Sequence, residues 1–255
     1  MKSLERELRE LRDSGRKLLV PYFMGGLTDS WTDYVAAAVL AGADAVEIGI
    51  PFSDPMMDGP VIQEAALRAL SRGTTLESIC DDLTRLETTV PLVAMTYYNI
   101  VLHYGLERAA GKFAASGISG AIIPDLPLEE TAPWIAACDG ADVATVLLVA
   151  PSTPEERLDR LAATTQGFAY ASARMAVTGK SEGGGDGERV VRSIRRTSHV
   201  PALIGIGIAT PDQARDAAAA SDGVIVGSAV VQVILDGGDA SHIETFIRTF
   251  RSAID

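Results

Sequence analysis

Cysteine, histidine and lysine are scarce in this chain, positive charge is in deficit, and no apolar run is long enough to cross a bilayer. The two cysteines, Cys80 and Cys138, stand far apart with no third partner. That suits a reducing compartment and excludes a cysteine-rich metal site. A formal net charge of -12 leaves no basic field to attract nucleic acid or an anionic membrane. The first residues, "MKSLERELRELRDSGRK", form a charged helix and not a secretory signal, since they lack an apolar h-region. A cytoplasmic protein is expected.

What is present is a large apolar content, 47% of 255 residues, enough for a sizeable core. Short runs rich in β-branched residues recur: 18–23, 45–50, 91–97, 120–125, 143–149, 167–172, 201–206 and 223–227. Helical patterns lie between them, for example 32–42, 75–86 and 211–220. Strands alternating with helices imply a parallel sheet. Eight such units in this length favour a closed (β/α)8 TIM barrel, α/β in class, over an open doubly wound sheet. No dinucleotide fingerprint follows the first run, which also disfavours the open sheet. With no linker or composition break, one domain over 1–255 with an extra N-terminal helix is expected.

The run 45–50, "AVEIGI", carries a glutamate among apolar residues. Side chains alternate across a strand, so Ala45, Glu47 and Gly49 share one face and Val46, Ile48 and Ile50 the other. If the apolar face meets the helices, Glu47 points into the barrel between two small residues. A buried carboxylate is unfavourable unless paired or used in chemistry, and Glu47 lies near the catalytic end of its strand. Asp54 and Asp58 follow on the next loop. Asp54 precedes Pro55, a turn placement. Asp58 either caps the next helix or completes an acid/base pair with Glu47.

Glycine-bearing segments close the last three runs: "VTGK", "GIGIAT" and "VGSAV". Barrels bind phosphate with the loops after strands seven and eight and a helix N-terminus. Gly207, Gly227 and Ser228 are phosphate candidates, with Gly179 closing over the top. The glycine-rich stretch 180–188 reads as a mobile loop, either a lid or a plain connector. The histidines, His103, His199 and His242, fall at no catalytic strand end, so no histidine metal site is expected. Of the lysines Lys2, Lys17, Lys112 and Lys180, none is expected inside the barrel for a Schiff base, the loop residue Lys180 being the one possible exception. What remains is metal-free acid/base chemistry on a phosphorylated compound.

"VEIGIPFSDPMMDGPVIQ", "IIPDLPLEE", "AVTGK", "GIGIATPDQA" and "DGVIVGSAVV" resemble the tryptophan synthase α subunit family, in the same order over essentially the whole chain. The resemblance implies cofactor-free retro-aldol cleavage of indole-3-glycerol phosphate to indole and D-glyceraldehyde 3-phosphate, in tryptophan biosynthesis. It also implies a β-subunit partner in an α2β2 assembly. By position, Glu47 resembles the family's general acid/base, Asp58 the carboxylate on the indole N–H, and Tyr170 the tyrosine near Glu47. Gly179, Gly207, Gly227 and Ser228 match the phosphate amides. Tyr22, Tyr97, Ile122, Val149 and Ile206 fall where the family lines the indole pocket.

The chain departs from that pattern at Met24 and Leu27, at Ala173, Met175 and Ala176, and at Met57, Ile100 and Ile206. These changes touch the lid and the loop after the second strand, and leave the two carboxylates and the phosphate segments in place. Three other readings stay open: a stand-alone lyase releasing free indole for secondary metabolism, a phosphosugar isomerase, and a non-catalytic barrel that binds a phosphorylated ligand or a partner. The isomerase needs an acid or cysteine on the first strand, which this chain lacks there.

Overall fold

The computed structural model describes residues 1–172, 185–205 and 207–255. Its strands are β1 (Leu18–Met24), β2 (Val46–Gly49), β3 (Leu92–Met95), β4 (Ile118–Ile122), β5 (Ala144–Val149), β6 (Ala169–Ser172), β7 (Ala202–Gly205) and β8 (Gly223–Val226). Each pairs in parallel with its neighbour in sequence, and β8 returns to β1, closing the barrel. The expected alternation of strand and helix is therefore the observed (β/α)8 barrel. Every expected strand is present, with ends that differ from the apolar run by up to three residues, because buried residues such as Ala45, Ile50, Ile123, Val143 and Phe168 extend past the paired stretch at either end.

Side-chain alternation sorts the strands into two apolar layers. Val46, Ile48, Ile50, Ala94 and Ile204 belong to the outer layer with the helices. Ala45, Val93, Val146, Tyr170, Leu203 and Ile225 belong to the inner layer. The helix Ser3–Asp13 completes the inner layer from below with the fully buried Leu4 and Leu8. Leu4 fits because residues 120 and 167 are glycines: a Cβ there would lie 2.5 and 2.7 Å from its Cδ2. Such close approach is available only where no side chain stands in the way.

Below the strands, buried charge closes the ring. Asp44, 4% exposed, accepts from Leu19 N–H at 2.9 Å and pairs with Arg16 and with Arg251 at 3.0 Å. Arg251 also donates to the Lys17 carbonyl at 2.9 Å, so the last helix, Ala240–Ile254, is tied to the starts of β1 and β2. The glycine-rich stretch read as a loop over 180–188 is helical from Gly185, since the helix Gly185–Thr197 begins within it. Residues 180–184 lie outside the described residues, as do the family departures Ala173, Met175 and Ala176.

Candidate active site

Glu47 lies in the middle of β2, with Tyr22 of β1 and Val93 of β3 beside it in register. It is 1% exposed, and its Oε2 has no hydrogen-bond partner among the described residues. Burial, and after it the charge of Asp58, push the Glu47 carboxyl up to about 8. An acid with that affinity holds its proton at neutral pH.

Asp58 sits on the loop after β2. It does not cap the helix Pro60–Ser71; Gly59 occupies the N-cap position, and no side chain caps that end. The Asp58 carbonyl accepts from Gln63 Nε2 at 2.8 Å, leaving its carboxyl for the interior. Burial raises that carboxyl to about 6, and a hydrogen bond from Tyr97 works in the other direction. Asp54, by contrast, is turn architecture: Ser53 Oγ donates to its carboxylate at 2.6 Å, and its carbonyl accepts from Met56 N–H.

A cavity of about 300 Å³ opens between the two acids and the late loops. Tyr22, Glu47, Asp58, Tyr170, Gly207, Gly227 and Ser228 line it together. Tyr22 and Tyr170 are buried, which raises both phenols well above their ordinary range; for Tyr22 the next largest cause is Asp58, for Tyr170 it is Glu47. Gly207 has φ +90°, a left-handed conformation that glycine adopts without strain. Ser228 opens the helix Ser228–Leu235, whose first amides have no carbonyl one turn earlier to bond. Carboxyl groups at one end and free amides at the other suit a substrate with an anionic tail.

The cavity wall differs from the one expected for an indole pocket. Val149 is fully buried in the outer layer, against the helices. On β5 the inward parity is Ala144, Val146 and Leu148, and Leu148 lines the cavity in place of Val149. Ile122 is fully buried in the inner layer but does not line the cavity; neither does Tyr97, which meets Asp58 from outside it. Gly179 and Ile206 lie outside the described residues. Met95, Ile208 and Ile225 also line the cavity, their only signal in the sequence being strand parity or nearness to a glycine turn.

Fold and site together define a (β/α)8 barrel protein with two carboxyl groups at the wall of one cavity. Comparison with known proteins narrows the class. Residues 8–252 match the family described as Tryptophan synthase alpha chain. The tryptophan synthase alpha chain of Thermobifida fusca (strain YX) is 40% identical, over 100% of this chain and 97% of that one. That of Geobacter sulfurreducens is 41% identical, over 96% of this chain and 94% of its own. Among solved structures, tryptophan synthase of Mycobacterium tuberculosis superposes with a TM-score of 0.91 at 32% identity, covering 99% of this chain and 98% of that one. Tryptophan synthase subunit alpha from Legionella pneumophila str. Paris gives 0.90 at 29%, covering 100% and 99%. The chain belongs to the tryptophan synthase alpha chain family.

Proposed function

We propose that this cavity cleaves indole-3-glycerol phosphate to indole and D-glyceraldehyde 3-phosphate, with Glu47 as general acid and base and Asp58 as the carboxylate that meets the indole N–H. The observation that carries the reading is the Glu47 carboxyl: buried, without a partner for Oε2 among the described residues, and raised to about 8 at the wall of the cavity. A protonated Glu47 delivers its proton to indole C3, and the positive charge moves to the ring nitrogen, where ionised Asp58 stabilises it. The Glu47 carboxylate then removes the proton from the hydroxyl next to the ring. The bond from C3 to the glycerol carbon breaks, its electrons restore the indole, and an aldehyde is left behind. Glu47 ends protonated, as it began, and the balance needs no cofactor. Two carboxyls with separated affinities carry the two roles.

Gly207, Gly227 and Ser228 supply amides for the phosphate, and Gly179 is proposed to join them. Tyr170, beside Glu47, acts on that carboxyl from β6. Tyr22 and Leu148 form the apolar walls for the indole, with Ile206 proposed among them.

A tryptophan synthase β chain is the proposed partner, in an α2β2 assembly. Met56 and Met57, 80% and 54% exposed, stand on the loop that carries Asp58, and Leu102 is 54% exposed in the helix after β3, Tyr98–Tyr104. Apolar side chains grouped on the catalytic side mark a surface for protein contact. A cytoplasmic location and a single domain belong to the same reading. No helix among the described residues is long and apolar enough to cross a membrane.

The test is indole formation from indole-3-glycerol phosphate, with and without added β chain. Wild type is expected to release indole, and Glu47→Gln to bind substrate without turning it over. Turnover that is high alone and unchanged by any β chain overturns the partner-dependent form of the proposal.

A further inference from the structure

The loop over 51–59 carries Asp58, and among the described residues its long-range hydrogen bond and ring contact both run to one residue. Tyr97, 4% exposed, stands two residues beyond the end of β3, at the N-cap position of the helix Tyr98–Tyr104. Phe52, at the start of the loop, stacks on the Tyr97 ring with centroids 5.1 Å apart and planes 28° from parallel. Met57 N–H, near the end of the loop, donates to Tyr97 Oη at 3.0 Å. Asp58 follows Met57 directly, and that phenol draws the proton affinity of its carboxyl down. The loop's remaining side-chain and backbone bonds among the described residues are local, between residues 53 and 63.

The direction of the Tyr97 hydrogen follows from these contacts. An amide N–H can only donate, so Met57 occupies a lone pair on Oη, and the phenol has one hydrogen to give. A carboxylate such as that of Asp58 can accept such a hydrogen without a proton of its own to place. Donation to the charged form favours the charged form. Burial of Asp58 opposes it. The other titratable groups facing Asp58 among the described residues are Glu47 from β2, Tyr22 from β1 and Tyr170 from β6. Behind Tyr97, Asp125 accepts from Tyr98 N–H at 2.9 Å and adds negative charge near the phenol.

We infer that Tyr97 is a positioning residue for Asp58: it holds the 51–59 loop near both ends, through its stack on Phe52 and the bond from Met57 N–H, and so sets where the Asp58 carboxyl stands. The inference rests on Asp58 being the carboxylate that meets the indole N–H. It gives Tyr97 a role distinct from that of a pocket wall, for it acts through Asp58 and from outside the cavity.

The experiment is Tyr97→Phe, which keeps the ring and its stack on Phe52 and removes only the hydroxyl. Carbon-13 NMR titration of the side-chain carboxyls, with Asp58 identified by Asp58→Asn, is expected to show the Asp58 midpoint moved to higher pH, by about 0.5 or more. Cleavage of indole-3-glycerol phosphate is expected to lose about tenfold or more in kcat with KM within about threefold, and the acid limb of kcat/KM to move up with the Asp58 midpoint. In an Asp58→Asn background, Tyr97→Phe is expected to cost less than about twofold further, since the two act as one unit. An unchanged Asp58 midpoint overturns the inference, as does a full tenfold loss retained in the Asp58→Asn background. Wild type that forms no indole defeats the lyase reading instead, and the NMR titration still decides the role of Tyr97 by itself.

Discussion

Tyr22 on β1 places its hydroxyl in the space that a side chain at residue 49 on β2 would fill. A Cβ on Gly49 would lie 1.9 Å from Tyr22 Oη and 2.4 Å from its Cζ. The glycine two residues after Glu47 thus makes room for a neighbour's phenol beside the carboxyl. Tyr170 and Gly205 repeat the arrangement across β6 and β7, with 2.5 Å to the phenol oxygen. Gly49→Ala is therefore expected to push Tyr22 out of place, costing about 1–3 kcal/mol of stability and more than about tenfold in kcat/KM. Thermal unfolding and steady-state kinetics check both. A variant matching wild type in both would show that Tyr22 has no need of that space.

The two carboxyls predict a bell-shaped pH profile for cleavage. Asp58 must be ionised, which sets an acid limb near its value of about 6; Glu47 must begin protonated, which sets a basic limb near about 8. Because the two interact, the limbs belong to the pair. Glu47→Gln is expected to abolish turnover at every pH. Asp58→Asn is expected to cost several orders of magnitude, on the order of 10²–10⁴, with unfolding little changed because Asp58 caps no helix. A loss of about 1 kcal/mol in stability with normal turnover would return Asp58 to a capping role.

The same Glu47 carries a cost in stability with a definite pH dependence. Its carboxyl binds a proton more tightly in the folded chain, up to about 8, than at the ordinary 4.5 of an unfolded one. Stability associated with the protonated form is complete below 4.5 and is lost as pH rises through about 8. A tenfold difference in proton affinity between the two states corresponds to about 1.4 kcal/mol. Glu47→Gln is expected to unfold near the wild-type temperature at about pH 4 and to be more stable than wild type by a few kcal/mol at about pH 9. A melting-temperature difference that stays flat with pH would contradict the raised affinity.

At the opposite end of the barrel, Arg251→Ala removes one partner of the buried Asp44 and the tie to the Lys17 carbonyl. Breaking a buried pair from one side is expected to destabilise by about 3–5 kcal/mol. The site lies at the other mouth, so KM is expected to hold while denaturant unfolding shifts to lower concentration.

The sequence made some of these relationships legible and hid others for identifiable reasons. Glu47 was legible because β2 marks its own phase: a charged residue between Ala45 and Gly49 fixes which face is inward. β5 has no such mark. "VATVLLV" is apolar on both parities near its end, so Leu148 and Val149 cannot be told apart until the register with β4 and β6 is known. Tyr97 reads as the last residue of an apolar run, but β3 ends at Met95, and the phenol's hydrogen-bond partner lies 40 residues away at Met57. The pairing of Tyr22 with Gly49 likewise depends on which strand lies beside which, a matter settled by closure of the barrel.

Barrel closure also sets an order of events at the other mouth. Leu4 and Leu8 leave the ribosome well before their seat, which includes Gly120, Ala144, Gly167 and Phe168. That seat does not exist until residue 168 has been synthesised. The helix Ser3–Asp13 is thus made before its seat and docked late. Until then the nascent chain carries two uncovered leucines on a strongly amphipathic helix, a segment for a chaperone to shield and a reason for the many charges on its other face.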